Sequence, residues 1–159
     1  NILLITLFLP NILFSQDLKI DEDTGLYSKS SVIEVEEMTK TEIYKKALEW
    51  LTLNYKSAND VIQLKDEESG KIILKGNFST GIFLKEGFLR HTLILDFKDE
   101  KFRYNYTNLS YYSPGSGEIP FEKGMALKKK ILAETETKID DSIKSLHEYI
   151  IRINSKDDW

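Results

Sequence analysis

The chain is 159 residues long, with 22 Lys and Arg against 26 Asp and Glu, a formal charge of -4, 41% hydrophobic residues and no cysteine. That length makes one domain with a core of its own, and the composition is too apolar and too weakly charged for intrinsic disorder beyond the ends. The lack of cysteine excludes a disulfide framework, thiolate metal sites, iron–sulfur clusters and a lipid-modified cysteine.

Residues 2–14 (ILLITLFLPNILF) form an uncharged apolar run that gives way abruptly to Ser15, Gln16 and an acidic stretch from Asp17. The run is shorter than the roughly 20 residues of a membrane span. It reads as the h-region of a secretory signal peptide over residues 1–15, with its basic n-region missing and cleavage after Ser15. This address implies export to the periplasm or cell envelope, with no stable membrane span once the leader is removed. Residues 16–30 are polar, acidic and contain Gly25, so they are expected to be an extended tether. Asp21-x-Asp23-x-Gly25 has the wrong glycine spacing for a calcium loop, and the twelfth position is Val32 rather than Glu.

A single domain is predicted over residues 31–154. Residues 31–36 (SVIEVE) alternate as a first strand. Thr39 and Glu42 form a capping box, Met38 and Ile43 are placed as a hydrophobic staple, and a helix is predicted to start at Thr39. Ile43, Tyr44, Ala47, Leu48, Leu51 and Tyr55 then recur at three- and four-residue steps, which gives that helix one buried stripe with Trp50 beside it. Residues 60–65 and 71–78 are predicted to form a hairpin across a polar turn ending in Gly70. Gly76 interrupts its second strand, as at a bulge or bend. Residues 88–98 and 101–112 alternate with a period of two across an Asp99-Glu100 turn, as in an antiparallel meander with one face on a core. The side carrying Leu93, Leu95 and Tyr104 is expected to be the covered one. Residues 113–120 (SPGSGEIP) are expected to be a loop. Residues 122–153 follow a helical pattern that is weakest over residues 133–137, and residues 155–159 form a frayed end. The order is β, α, four β, α: a two-layer α+β domain in which a long C-terminal helix crosses a curved, mainly antiparallel five-stranded sheet.

Few residues suggest chemistry. The two histidines, His91 and His147, have no second His at ligand spacing, so no metal site is expected. Gly115-Ser116-Gly117 is loop chemistry and not a nucleophile elbow, and Ile82-Phe83 stand where a phosphate loop needs Lys and Ser/Thr. No catalytic residue and no cofactor are assigned. Residues 17–70 carry 13 acids and 7 bases, residues 71–121 carry 5 and 7, and residues 122–159 carry 8 and 8. No segment concentrates the positive charge that a phosphate backbone demands, so nucleic acid is not an expected partner. Tyrosines at a strand end beside a Pro/Gly loop can line a groove. The candidate groove residues are therefore Tyr104, Tyr106, Tyr111 and Tyr112, with His91 and Trp50.

Residues 57–78 (SANDVIQLKDEESGKIILKGNF) resemble the signature of a family of secreted bacterial proteins. The similarity rests on Ala58-Asn59-Asp60-Val61-Ile62-Gln63, Gly70-Lys71-Ile72 and Lys75-Gly76, and extends to the leader, the helix with Trp50 and the alternating Tyr strand. That family is a domain of unknown function with a TBP-like fold, named after the TATA-box-binding protein. The resemblance implies a β-α-β4-α fold over essentially the whole mature chain, and brings no activity and no catalytic residues. A fold name is not a function. The expectation is a non-enzymatic envelope protein with a groove between sheet and C-terminal helix for an apolar small ligand, a peptide or an envelope partner. The alternatives are a structural partner module of an envelope assembly, and a hydrolase using carboxylates brought together from separate strands.

Overall fold

Alternation along the strands decides which side of the sheet is covered, and the helices follow from it. The computed structural model describes residues 17–152. The leader expected over residues 1–15 and the frayed end over 155–159 lie outside the described residues. The elements are β1 (Lys19–Ile20), β2 (Tyr27–Glu34), α1 (Lys40–Asn54), α2 (Ala58–Val61), β3 (Ile62–Asp66), β4 (Lys71–Thr80), β5 (Gly87–Lys98), β6 (Lys101–Ser113), β7 (Gly117–Pro120) and α3 (Lys128–Ile151). They form a seven-stranded sheet in the order β1-β2-β6-β5-β4-β3, with β7 beside the far end of β6. Every pairing is antiparallel.

Ile72 and Leu74 of β4, Leu93, Leu95 and Phe97 of β5, and Phe102, Tyr104 and Tyr106 of β6 are buried on one face. Both long helices cover that face, and the other face is free of helices. The main core joins those side chains to Ile43, Tyr44, Ala47, Trp50 and Leu51 of α1 and to Ile139, Ile143, Leu146 and Ile150 of α3. A smaller cluster of Leu89, Leu109, Tyr111, Phe121 and Ile131 lies under the start of α3. Thr135 sits fully buried between the two, its hydroxyl donating to the Ile131 carbonyl at 2.7 Å.

The capping box is present: the Thr39 hydroxyl accepts from the Glu42 N–H at 3.3 Å while the Glu42 carboxylate accepts from the Thr39 N–H at 2.8 Å. Met38 packs on the main core, as the staple requires.

Other expectations need correction. The strand expected over 31–36 is β2, which begins at Tyr27 rather than residue 31, and β1 also lies within 16–30, so the tether there is too long. Its last residues join the sheet because Lys29, 3% exposed, reaches Glu136 at 3.0 Å and Asp140 at 2.8 Å on α3. Asp21 is the acceptor of a tight turn, taking the Thr24 N–H at 2.8 Å, which accounts for the Asp–Gly spacing there. Residues 58–61 turn once as α2 before β3 starts. The loop expected over 113–120 contains β7, made possible by Gly115 and Gly117 at positive φ (79° and 82°) closing a tight turn onto β6. The last helix starts at Lys128 rather than 122 and runs unbroken through residues 133–137. Thr135 holds the stripe there, since a hydroxyl bonded back to its own helix can be buried among apolar neighbours. Gly76 marks no bulge: β4 pairs with β5 without interruption from Lys71 to Thr80, and the irregularity lies between Arg90 and Thr92 against β6.

Candidate functional site

A groove of about 770 Å³ remains between the last turn of α1, β4 and the middle of α3. Trp50, Asn54 and Tyr55 form one wall, Gly76, Asn77, Phe78 and Ser79 the floor, and Lys138, Asp141, Ser142 and Ser145 the opposite wall. The volume falls in the range of small-ligand sites. The walls mix aromatic rings and short neutral polar side chains with the charged Lys56, Lys138 and Asp141.

Hydrogen bonds hold two of the side chains around the floor. The Trp50 indole N–H donates to the Ser145 hydroxyl at 3.1 Å, tying α1 to α3. The Tyr106 hydroxyl lies 3.0 Å from the Ser142 hydroxyl. Burial, with the nearby Tyr55 phenol adding to it, pushes the Tyr106 hydroxyl well above its ordinary pKa. Burial alone pushes Tyr55 up to about 12. Beneath the floor, His91 is wedged against Phe78 at 4.4 Å and Tyr106 at 4.9 Å between ring centroids. Burial lowers its pKa to about 4, so the imidazole is neutral at physiological pH.

Gly76 makes this arrangement possible. It is the β4 partner of His91, and a Cβ placed on it would come within 2.8 Å of His91 Nε2 and 2.9 Å of Tyr55 Cε1. Any larger residue would fill the floor from below.

The six residues proposed from sequence are distributed as follows. Trp50 lines the groove. Tyr106 and His91 lie directly under it, reaching it through Ser142 and Gly76. Tyr104 is in the main core. Tyr111 belongs to the smaller cluster, packed against Gly87 and Phe83. Tyr112 is on the helix-free face, where it stacks with Phe88 and carries the Arg90 guanidinium 3.7 Å above its ring. Sequence reasoning missed Tyr55, Phe78, Ser142 and Ser145. Gly76 was the available signal, a glycine inside an apolar strand.

A second, smaller depression of about 460 Å³ lies on the helix-free face behind the same point, lined by Lys75, Gly76, Asn77, Arg90, His91, Thr92, Asn108 and Glu118. Arg90 lies 3.0 Å from Glu118 within it. The Ser110 hydroxyl also donates to Glu118. Among the described residues no cluster of His, Cys, Asp and Glu could hold a metal ion.

A sheet with both helices on one face and a long C-terminal helix across it matches a known family. Residues 30–112, just over half of the chain, match the domain of unknown function DUF4468 with TBP-like fold. The chain belongs to the DUF4468 family. Two solved structures share the fold. A TBP-like protein from Parabacteroides distasonis ATCC 8503 is 12% identical with a TM-score of 0.70, covering 84% of this chain and 97% of its own. A DUF4468 family protein from Bacteroides ovatus ATCC 8483 is 15% identical with a TM-score of 0.65, covering 80% and 90%. No curated protein matches the chain. At these identities the likeness establishes the fold alone. The DUF4468 fold is thus the two-layer α+β arrangement expected from sequence, with seven strands instead of five.

Proposed function

We propose that this DUF4468 protein is an exported, non-enzymatic binding module of the cell envelope that holds a small ligand in the groove between α1, β4 and α3. The observation that carries the reading is the groove itself, of ligand size and with a floor kept open by a glycine that two neighbouring rings would otherwise crowd. Its lining of rings, amides and hydroxyls favours an amphipathic ligand over a purely apolar one. The hydrolase alternative finds little support. Acid–base work on a substrate needs carboxyl groups converging on one point. Asp141 is the single carboxylate lining the groove, and among the described residues no Asp or Glu is buried.

Native mass spectrometry of the mature protein, purified gently from its own envelope fraction, tests the reading. An added mass that survives purification and is lost on denaturation, together with its loss in a variant whose groove is filled by Ser142→Trp, supports it. A bare chain in every preparation counts against it.

A further inference from the structure

Beneath the floor of the groove lies one polar atom that the fold leaves without a partner. His91 is 3% exposed, and its Nδ1 lies 3.4 Å from the backbone oxygen of Leu89. A carbonyl oxygen only accepts, so the ring proton sits on Nδ1 and Nε2 keeps a bare lone pair. Nε2 is buried and has no hydrogen-bond partner among the described residues. A buried acceptor left in this condition is costly, which makes it a place to look for function.

The lone pair is next to the groove. The Cβ position of Gly76 lies 2.8 Å from Nε2, so the imidazole is turned toward the one point on the floor that lacks a side chain. The Tyr55 ring crowds that same point, 2.9 Å from it. Tyr55 directly follows the last residue of α1, with extended backbone angles. Its ring meets Trp50 edge-on at 6.4 Å, and no hydrogen bond to the described residues fixes its hydroxyl. A ring held only by packing can turn aside.

The chemistry of a partner follows from these atoms. It must donate a hydrogen, because Nε2 accepts. It must be uncharged where it touches the floor, because the imidazole is neutral there and no carboxylate lies beside it. A charge brought to that point would be desolvated without compensation. Higher up, the Ser142 and Ser145 hydroxyls and the Asn54 and Asn77 amides line the groove beside the Phe78 ring, while the charged residues of its lining are Lys56 and, on the α3 wall, Lys138 and Asp141. A ring with apolar C–H faces and hydroxyl edges complements such a surface.

This inference rests on the groove reading above and narrows it: we propose that the ligand is a neutral saccharide, one hydroxyl of which donates to His91 Nε2 after the Tyr55 ring turns aside. The probes are cellobiose, maltose and diacetylchitobiose, with laurate and glucose 6-phosphate as comparison classes. Each is titrated into the uniformly 15N-labelled protein while the Trp50 indole and His91 imidazole resonances are followed. The expected result is that at least one neutral disaccharide moves the Trp50 signal and shifts His91 Nε2 in the direction of an accepted hydrogen bond. His91→Phe, which keeps the ring and removes the acceptor, is expected to weaken that binding about tenfold. If laurate or glucose 6-phosphate moves the groove signals and no disaccharide does, the groove reading stands and the saccharide proposal falls. If none of the probes moves them, both lose their support. If a disaccharide binds but Nε2 does not shift, or His91→Phe binds equally well, His91 is only packing and the proposal is overturned. The wild-type Nε2 shift decides the matter on its own should the variant not fold.

Discussion

Gly76 and His91 face each other across the β4–β5 ladder, and the space one lacks is the space the other occupies. Gly76→Ala should therefore cost about 1–3 kcal/mol, the usual range for overpacking a filled site. Urea denaturation reads this loss, and an unchanged midpoint would mean that the Tyr55 and His91 rings yield freely. His91 also makes a pH signature. Its pKa falls by burial from 6.5 unfolded to about 4 folded, so between those values the unfolded chain binds the extra proton. Stability is then complete above about pH 6.5 and is lost as pH falls toward 4, by up to about 3 kcal/mol. His91→Phe should flatten that part of the stability–pH curve, and a curve of the same slope in the variant would show that other groups cause it. A third residue stands in strain for no structural return. Leu84 is 99% exposed at φ 58°, a left-handed conformation that leucine disfavours. Leu84→Asn or Leu84→Gly should raise stability by about 0.5–1 kcal/mol, measured by the same denaturation.

At the scale of elements, α3 is fastened to the far side of the sheet through one buried cation. Lys29 of β2 donates to Glu136 and Asp140 of α3. Its own burial acts to lower its pKa, but the bonds it donates to Asp140 and Glu136 outweigh this and raise it, while Glu136 is drawn below its ordinary value by Lys29 despite partial burial. Lys29→Ala should cost about 1–2 kcal/mol. This is less than breaking a wholly buried pair, because both acids keep contact with water once the lysine is gone. Lys29→Met, which keeps the packing of the stem, should recover part of the loss in thermal melts. This link also explains what was and was not legible. The α1 cap, the β5–β6 meander and the covered face could be read because periodicity and capping are local. The true start of β2 could not, since it depends on an ion pair between residues more than a hundred positions apart. The continuity of α3 through residues 133–137 likewise depended on burying Thr135, which polarity alone argues against. β7 was hidden by a Gly-rich turn that reads equally well as a loop.

The whole molecule explains why the groove was only half legible. Its walls come from residues 50–57, 76–79 and 138–145, and nothing local in any of them announces the other two. Trp50 could be named because a ring beside a buried stripe is conspicuous, whereas Ser145, its hydrogen-bond partner, is an ordinary serine on a polar helix face. Topology also decides what the helix-free face can do. A saddle-shaped sheet that grips DNA needs unpaired cations to displace counterions and apolar wedges to open base steps. Here Lys71 and Arg103 both bind Asp96, and Arg90 binds Glu118. Phe88, the large ring on that face, is stacked on Tyr112 at 6.2 Å. Three cations of the face are thus already paired, sharing two carboxylates, and the available wedge is already packed. With a chain charge of -4 added to this, an A·T-rich duplex should show no binding in fluorescence anisotropy at about 0.15 M salt, where screening reaches roughly 8 Å. Binding that weakens steeply between low and physiological salt would instead mean that these pairs open on contact and that the sheet takes phosphate after all. The double variant Asp96→Asn, Glu118→Gln separates the two cases. It frees Lys71, Arg103 and Arg90 without altering the sheet's shape, so if pairing is what blocks the face, the variant should acquire salt-sensitive DNA binding that the native chain lacks.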